Sequence, residues 1–278
     1  MKFFNLFKKK TINDKQVEVD QKFLDLVESF NHFQETPHQE NVILEIKDLK
    51  KWFGPKKKRH HALQGINLKI YEGDRIALLG ANGAGKTTLL EIIAGINKPS
   101  EGTIDYNFNY QITPQERIGI QFQDATCPFG FTVYDLIQLQ NNILIQPLSN
   151  SDILKLIKVF KLKDLLKVKA ASLSGGQQQR LNVALTFMTD PKILFLDELS
   201  TALDIDMQLY INKIVKEYAD EHNTTLVLSS HNIKEILFHT TRCVIIKKGK
   251  VVLDVPNEAI IKHFKDFDHF LTNFINNF

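Results

Sequence analysis

At 278 residues with 43% apolar side chains, the chain has enough material for a sizeable core in one large domain or two modest ones. A formal net charge of +3 and a pI near 8.6 are too mild for the basic stripe that nucleic-acid binding needs, so no nucleic-acid partner is expected. Cys127 and Cys243 lie far apart without metal-ligand spacing, which gives no disulfide framework and points to a reducing compartment, and no apolar run approaches the roughly 18 residues of a membrane span.

Residues 1 to 41 read as an extension: "MKFFNLFKKK", too short in its apolar part for a signal peptide, precedes "KFLDLVESFNHF" with Phe23, Leu26, Val27, Phe30 and Phe33 at helical spacing. Two readings stand there. Lys8 to Lys10 meet phosphate headgroups while Phe3, Phe4 and Phe7 enter a lipid or partner surface, or the helix lies on its own domain. From "VILEIKDL" onward short alternating strands begin, and "GINLKIYEGDRIALLG" reads as two strands joined by Glu72, Gly73 and Asp74. The run "PKKKRHH" between two strands reads as a solvated hairpin loop.

Beyond residue 123 the pattern turns helical, with Thr132 and Asp135 forming a capping box before "VYDLIQLQNNI" and with leucine and isoleucine at helical spacing through "SDILKLIKVFKLKDLL". "KILFLDE", "TTLVLSSH" and "TRCVIIKKG" then read as buried strands, each after a helical stretch, the signature of a parallel sheet covered on both faces. The tail "IIKHFKDFDHFLTNFINNF" carries Phe264, Phe267, Leu271, Phe274 and Phe278 as an aromatic stripe, for a partner or for the chain's own core.

"LLGANGAGKTTLLEIIAG" places Gly80, four residues, Gly85, Lys86 and Thr87 between a buried strand and a helix, the pattern and context of a phosphate-binding loop. Glycines at 80, 83 and 85 let backbone N–H groups point inward at an anion, and the helix start near Gly85 adds its positive end. Lys86 is suited to β and γ phosphates, Thr87 to Mg²⁺ and Thr88 to a nearer phosphate. "KILFLDE" ends in Asp197 and Glu198 at the carboxyl end of a strand, one acid for Mg²⁺ and its waters, the other for the attacking water. Two acids there also occur as ordinary helix N-terminal charges.

At "ASLSGGQQQRLNVAL" the sequence resembles the nucleotide-binding subunits of ABC (ATP-binding cassette) transporters, because Leu173 to Gln177 match the LSGGQ signature. The resemblance runs from about residue 42 to 255. It implies an α/β fold of the P-loop NTPase (RecA-like) type: a parallel sheet core with an antiparallel β subdomain and a helical subdomain at about 124–172. The cassette then spans 42–256, between the extension 1–41 and a helical tail 257–278.

By the same resemblance, ATP contacts fall on Gly80, Asn82, Gly83, Ala84, Gly85, Lys86, Thr87 and Thr88, and on Phe53 of "KKWFG" as the aromatic that stacks on adenine, with Trp52 the lesser candidate. Ser174, Gly175, Gly176 and Gln177 reach the ATP of a second cassette, and Asp204 of "STALD" lies at that dimer interface. Glu198, His231, Gln123 and Lys86 are the expected catalytic residues, and Thr87, Gln123 and Asp197 the Mg²⁺ contacts. Ala81 replaces a common proline, Glu198 lacks a following proline and Leu185 stands for a frequent arginine, departures that remove no reacting group.

The resemblance further implies ATP hydrolysis coupled to transport, with transmembrane permease subunits and a second copy or close paralogue as partners, on the inner face of the cell membrane. With 47 residues after His231, too few for the regulatory domain of many sugar importers, and with "RLNVAL" and "FTVYDLI", export of the ABC-2 type is favoured over import. A soluble ABC ATPase, such as an iron–sulfur assembly ATPase, is the alternative. Two-cassette translation factors and coiled-coil repair proteins do not fit one phosphate loop and about 50 residues from Gln123 to Ser174.

Overall fold

The computed structural model describes residues 41–121, 128–200, 202–264, 267 and 270. The extension before residue 41, Gln123, Cys127 and the tail positions Leu271, Phe274 and Phe278 lie outside the described residues.

The chain runs β1 (Val42–Phe53), β2 (His60–Tyr71), β3 (Arg75–Leu79), α1 (Lys86–Ile93), β4 (Glu101–Tyr106) and β5 (Ile118–Gln121). It continues through α2 (Val133–Ile143), α3 (Asn150–Val159), α4 (Gly175–Phe187), β6 (Ile193–Asp197) and α5 (Ile205–Glu221). It ends with β7 (Thr225–Ser229), α6 (Ile233–His239), β8 (Arg242–Lys247), β9 (Lys250–Pro256) and α7 (Asn257–Phe264). Two sheets result: a three-stranded antiparallel one ordered β2-β1-β4, and a six-stranded one ordered β5-β6-β7-β3-β8-β9, parallel except for its edge strand β9.

The alternation in "VILEIKDL" buries Ile43, Leu44, Ile46 and Leu49 and breaks at Asp48, where φ is 46° and the pairing register shifts. The basic run is the exposed β1–β2 hairpin turn, and Arg59 folds back over the Trp52 ring at 4.6 Å. β2 and β3 are joined by a tight turn, as the sequence predicts, but they enter different sheets instead of pairing. Arg242, at the start of β8, clamps this turn: its guanidinium donates to Asp74 at 2.6 Å and to Asp254 at 2.7 and 2.6 Å, so a buried cation is fully answered by acids. Removing one partner of such a buried pair costs about 3–5 kcal/mol.

β6, β7 and β8 are almost wholly buried, with apolar stretches at 193–196, 226–228 and 243–246, because both faces of the sheet are covered, one by α1 and the antiparallel sheet and the other by α4, α5, α6 and α7. Thr132 caps α2 with Asp135 as its pattern predicts. The helical spacing over residues 151–166 does not give one helix. α3 stops at Val159, Lys161 takes φ 50°, and Leu162 turns back so that it and Phe160 both enter the core, Phe160 edge-on to Phe187 at 5.6 Å. At the other end, Phe267 of the aromatic stripe is buried, with Phe270 beside it, in the cluster holding Ile236, Leu253 and Ile260, and Phe264 packs against that cluster, so this part of the stripe packs on the chain's own core.

Candidate functional site

The carboxyl ends of adjacent parallel strands bring three segments together: the loop after β3, the acid pair closing β6 and the histidine after β7. That is where ligands bind in open α/β sheets. Gly85 is the N-cap of α1 with φ 109°, a left-handed value, and a Cβ there would lie 2.7 Å from the Ala62 carbonyl oxygen. Among the described residues no side chain caps α1, so its leading amides are open to another acceptor. A cavity of about 210 Å³ opens over them, lined by Phe53, Asn82, Gly83, Ala84, Gly85, Lys86, Thr87 and Thr88, together with His60, Ala62 and Ala81. A Cβ built on Gly83 would meet no atom of the described residues within 4 Å beyond its chain neighbours, so the backbone there faces open space that a phosphate could enter.

Lys86 Nζ donates to the Gly80 carbonyl at 2.5 Å, which folds the ammonium over the loop. Burial pulls this lysine below its ordinary range, and the charges of Asp197 and Glu198 oppose that shift. Phe53 is 40% exposed at the cavity with the Lys51 ammonium 5.0 Å from its ring centre, whereas Trp52 is taken up by Arg59. The exposed face of Phe53 can accept a flat aromatic base.

Glu198 has φ 56°, and its N–H donates to the Ser229 carbonyl at 2.8 Å, which binds the end of β6 to the end of β7. Its Oε1 accepts from the backbone N–H of His231 at 3.1 Å and lies 3.7 Å from His231 Nε2, whose ring is otherwise open to solvent. Two glutamines that the sequence pattern does not single out hold the acid pair from behind. Gln121 Nε2 donates to the Asp197 carbonyl at 3.3 Å, and Gln179 Nε2 donates to the carbonyls of Glu198 at 3.3 Å and Leu199 at 2.8 Å. The position of Gln179 within "GGQQQR" is the available signal, two residues past the signature and turned inward by the helical period.

Other expected residues lie elsewhere. Ser174 caps α4 in a closed box, with Gln177 N–H donating to its Oγ at 3.4 Å and Gln177 Oε1 accepting from its N–H at 3.0 Å. Gly175 follows it, and Gly176 lies so near the loop before α5 that a Cβ would fall 2.9 Å from the Ala202 oxygen. Asp204 is exposed and caps α5 by accepting from Met207 N–H at 2.8 Å. None of the residues lining the phosphate-loop cavity comes from 173–177 or from Asp204.

For a divalent cation, the Thr87 hydroxyl and the Asp197 carboxylate offer hard oxygen donors beside a phosphate cradle, a set that fits Mg²⁺ completing its shell with phosphate oxygens and water. Among the described residues no cluster of three histidine, cysteine or acidic side chains forms a protein-only metal site.

Residues 63–201 match the family model described as ABC transporter. Similar curated proteins include the MG065 homolog of Mycoplasma pneumoniae, an ABC transporter ATP-binding protein by name, at 33% identity over 71% of this chain and 44% of its own length. The sulfate/thiosulfate import ATP-binding protein CysA 2 of Rhizobium meliloti is 31% identical over 84% of this chain and 63% of its own. The tyrosine transport ATP-binding protein of Clostridioides difficile is 32% identical over 78% and 93%. The chain thus spans between 44% and 63% of the length of the first two. Among solved structures, a dimeric ATP-binding cassette in a post-hydrolysis state bound to ADP and Pi superposes with a TM-score of 0.67 at 26% identity, covering 77% of this chain and 98% of that one. The cbiO1 protein of Clostridium perfringens, part of the ABC transporter complex cbiONQ, does so at 0.64 and 28%, covering 85% and 97%.

Proposed function

Since the chain belongs to the ABC transporter family as an ATP-binding cassette, we propose that it binds and hydrolyses ATP as a pair of copies, and that this powers a membrane partner. The observation that carries the reading is the convergence of an uncapped helix start, Lys86 and the Glu198–His231 contact on one sheet edge. The triphosphate lies along the amides of 80–88, and Phe53 takes the adenine. Glu198 draws a proton from the attacking water, and His231 holds the γ phosphate and that water in line. Thr87, Asp197 and Gln123 would hold Mg²⁺, which when bound offsets phosphate charge.

A second copy supplies what one chain lacks near its cradle. Ser174, Gly175, Gly176 and Gln177 present another helix start, and Asp204 the neighbouring loop, to the nucleotide held by the facing chain. Their absence from the phosphate-loop cavity and the dimeric state of a similar cassette support this arrangement. The helical segment at about 124–172, with Gln123, forms the surface that meets transmembrane permease subunits. In this reading the membrane subunits are separate components and the chain sits peripherally on the inner face; among the described residues no helix is long and apolar enough to cross a membrane. The relatives include proteins named for sulfate/thiosulfate import and lend no support to the export expectation.

The test is ATP turnover by purified protein with magnesium, measured across protein concentration. Specific activity that rises with concentration is expected for a two-chain site. Constant specific activity down to the monomer overturns the shared site, and no nucleotide affinity in folded protein overturns the whole reading.

A further inference from the structure

Behind the Glu198–His231 contact lies a buried acid that no step above uses. Glu235, in the first turn of α6, is 3% exposed. Its two carboxylate oxygens are divided between two chain segments. Ser200, two residues after Glu198, donates its hydroxyl to Oε1, and Ser230, the neighbour of His231, donates to Oε2 at 2.5 Å. Both serines are buried. Ser230 Oγ in turn accepts from Asn232 N–H at 3.0 Å, so the turn carrying His231 is tied down on both sides. A third group, the Asn212 side chain of α5, faces the same carboxylate while its Oδ1 bonds His239 Nε2 at 2.7 Å. Burial raises the Glu235 carboxyl above its ordinary range, and the two serine bonds oppose that shift.

We propose that Glu235 is a positioning residue: by bridging Ser200 and Ser230 it fixes the distance and angle between Glu198 and His231. The inference rests on the hydrolytic reading above and deepens it. Ser200 lies four residues before Asp204, and Gln208 holds the carbonyls of both Ser200 and Leu203, at 3.1 and 3.0 Å. When a facing copy presses on the loop at Ala202 to Asp204, the displacement reaches Ser200, passes through the Glu235 carboxylate to Ser230, and moves His231. A buried, hydrogen-bonded bridge suits that task because it has few alternative arrangements.

The experiment compares E235A, E235Q, H231A and the double variant E235A/H231A by steady-state ATP turnover, with thermal unfolding as the check on folding. E235A is expected to lose about tenfold or more in kcat with KM for ATP within about twofold, since it misplaces groups that act at the transition state. E235Q, which keeps two hydrogen-bonding positions for serine hydroxyls that can rotate, should recover to within about threefold of the wild type. The double variant should be within about twofold of H231A, because Glu235 acts through that residue. A folded E235A with wild-type kcat, a loss confined to KM, or effects that multiply in the double variant each overturn the proposal. Should E235A fail to fold, S200A/S230A removes the two donors instead, and wild-type kcat there overturns it equally. Absence of turnover in the wild-type protein overturns the hydrolytic reading and this inference together, whereas wild-type turnover with unaffected variants overturns this inference alone.

Discussion

Helices α1 and α4 both begin at a glycine-containing turn, yet they treat their leading amides in opposite ways. α1 starts at Gly85 with no side-chain cap among the described residues, and the Lys86 ammonium folds back onto the Gly80 carbonyl. α4 starts at Ser174 and closes its own end with Gln177. The four orphan donors of a helix start are satisfied by the chain, by water or by a ligand. The first end is open to an anion, as proposed above for the nucleotide phosphates, and the second, already closed by its own side chains, is the end proposed to meet the nucleotide of a facing copy. The acid pair connects the two: its charges act on Lys86 at the α1 end, while Gln179 of α4 holds the backbone of Glu198 and Leu199 from behind.

The sharpest way to break this division is at Glu198. E198Q keeps size and hydrogen bonding but removes the base, so turnover should fall by roughly 10²–10⁴-fold while ATP binding and nucleotide-dependent dimerisation persist. Undiminished turnover in a single-turnover assay would take the water-activating role away from this residue.

Lys86 comes next. K86A removes a charge-assisted contact worth about 1.5–3 kcal/mol, which is roughly 10- to 150-fold in Kd for ATP by equilibrium binding. Equal loss of ADP and AMP affinity would show that the ammonium does not face the β and γ phosphates. Gly85 tests the backbone half of the cradle. An alanine must keep φ 109° and place a Cβ 2.7 Å from the Ala62 oxygen, so G85A should lower stability by about 1–3 kcal/mol, read as a lower urea midpoint at unchanged m.

Much of this arrangement is legible in the chain itself, for reasons that differ by region. The loop around Gly85, the strand ending at Asp197 and the Thr132 cap can be read because each depends on neighbours within a few residues. What the sequence hides is long-range. Nothing in "YEGDR" says that β2 and β3 part into different sheets, since both readings satisfy the same alternation. Gln121 and Gln179 gain their role from meeting the acid pair across 76 and 19 residues, and Glu235 meets Ser200 across 35, so burial and not spacing identifies them. The end of α3 escapes the pattern because leucine periodicity continues past Lys161, whereas core packing of Phe160 and Leu162 decides where the helix stops.

The smallest expected effect on stability is at Ser174, and it separates the two helix ends most cleanly. S174A removes a cap and should cost about 1 kcal/mol, with affinity for ATP in the isolated chain unchanged because the α1 cradle does not contain it. Turnover should nevertheless fall, since the facing chain is deprived of a hydroxyl. S174D tells the capping role of this side chain from its role toward a nucleotide. Aspartate caps a helix as well as serine does, so stability should stay within a few tenths of a kcal/mol of the wild type. Its carboxylate, however, would meet the phosphates of the facing nucleotide, and like charges repel strongly in a site closed to water. Turnover in S174D should therefore drop below that of S174A although the fold is the more stable of the two. Wild-type turnover in S174D would make the start of α4 a helix cap and nothing more, and the contrast with α1 would then lose its functional meaning.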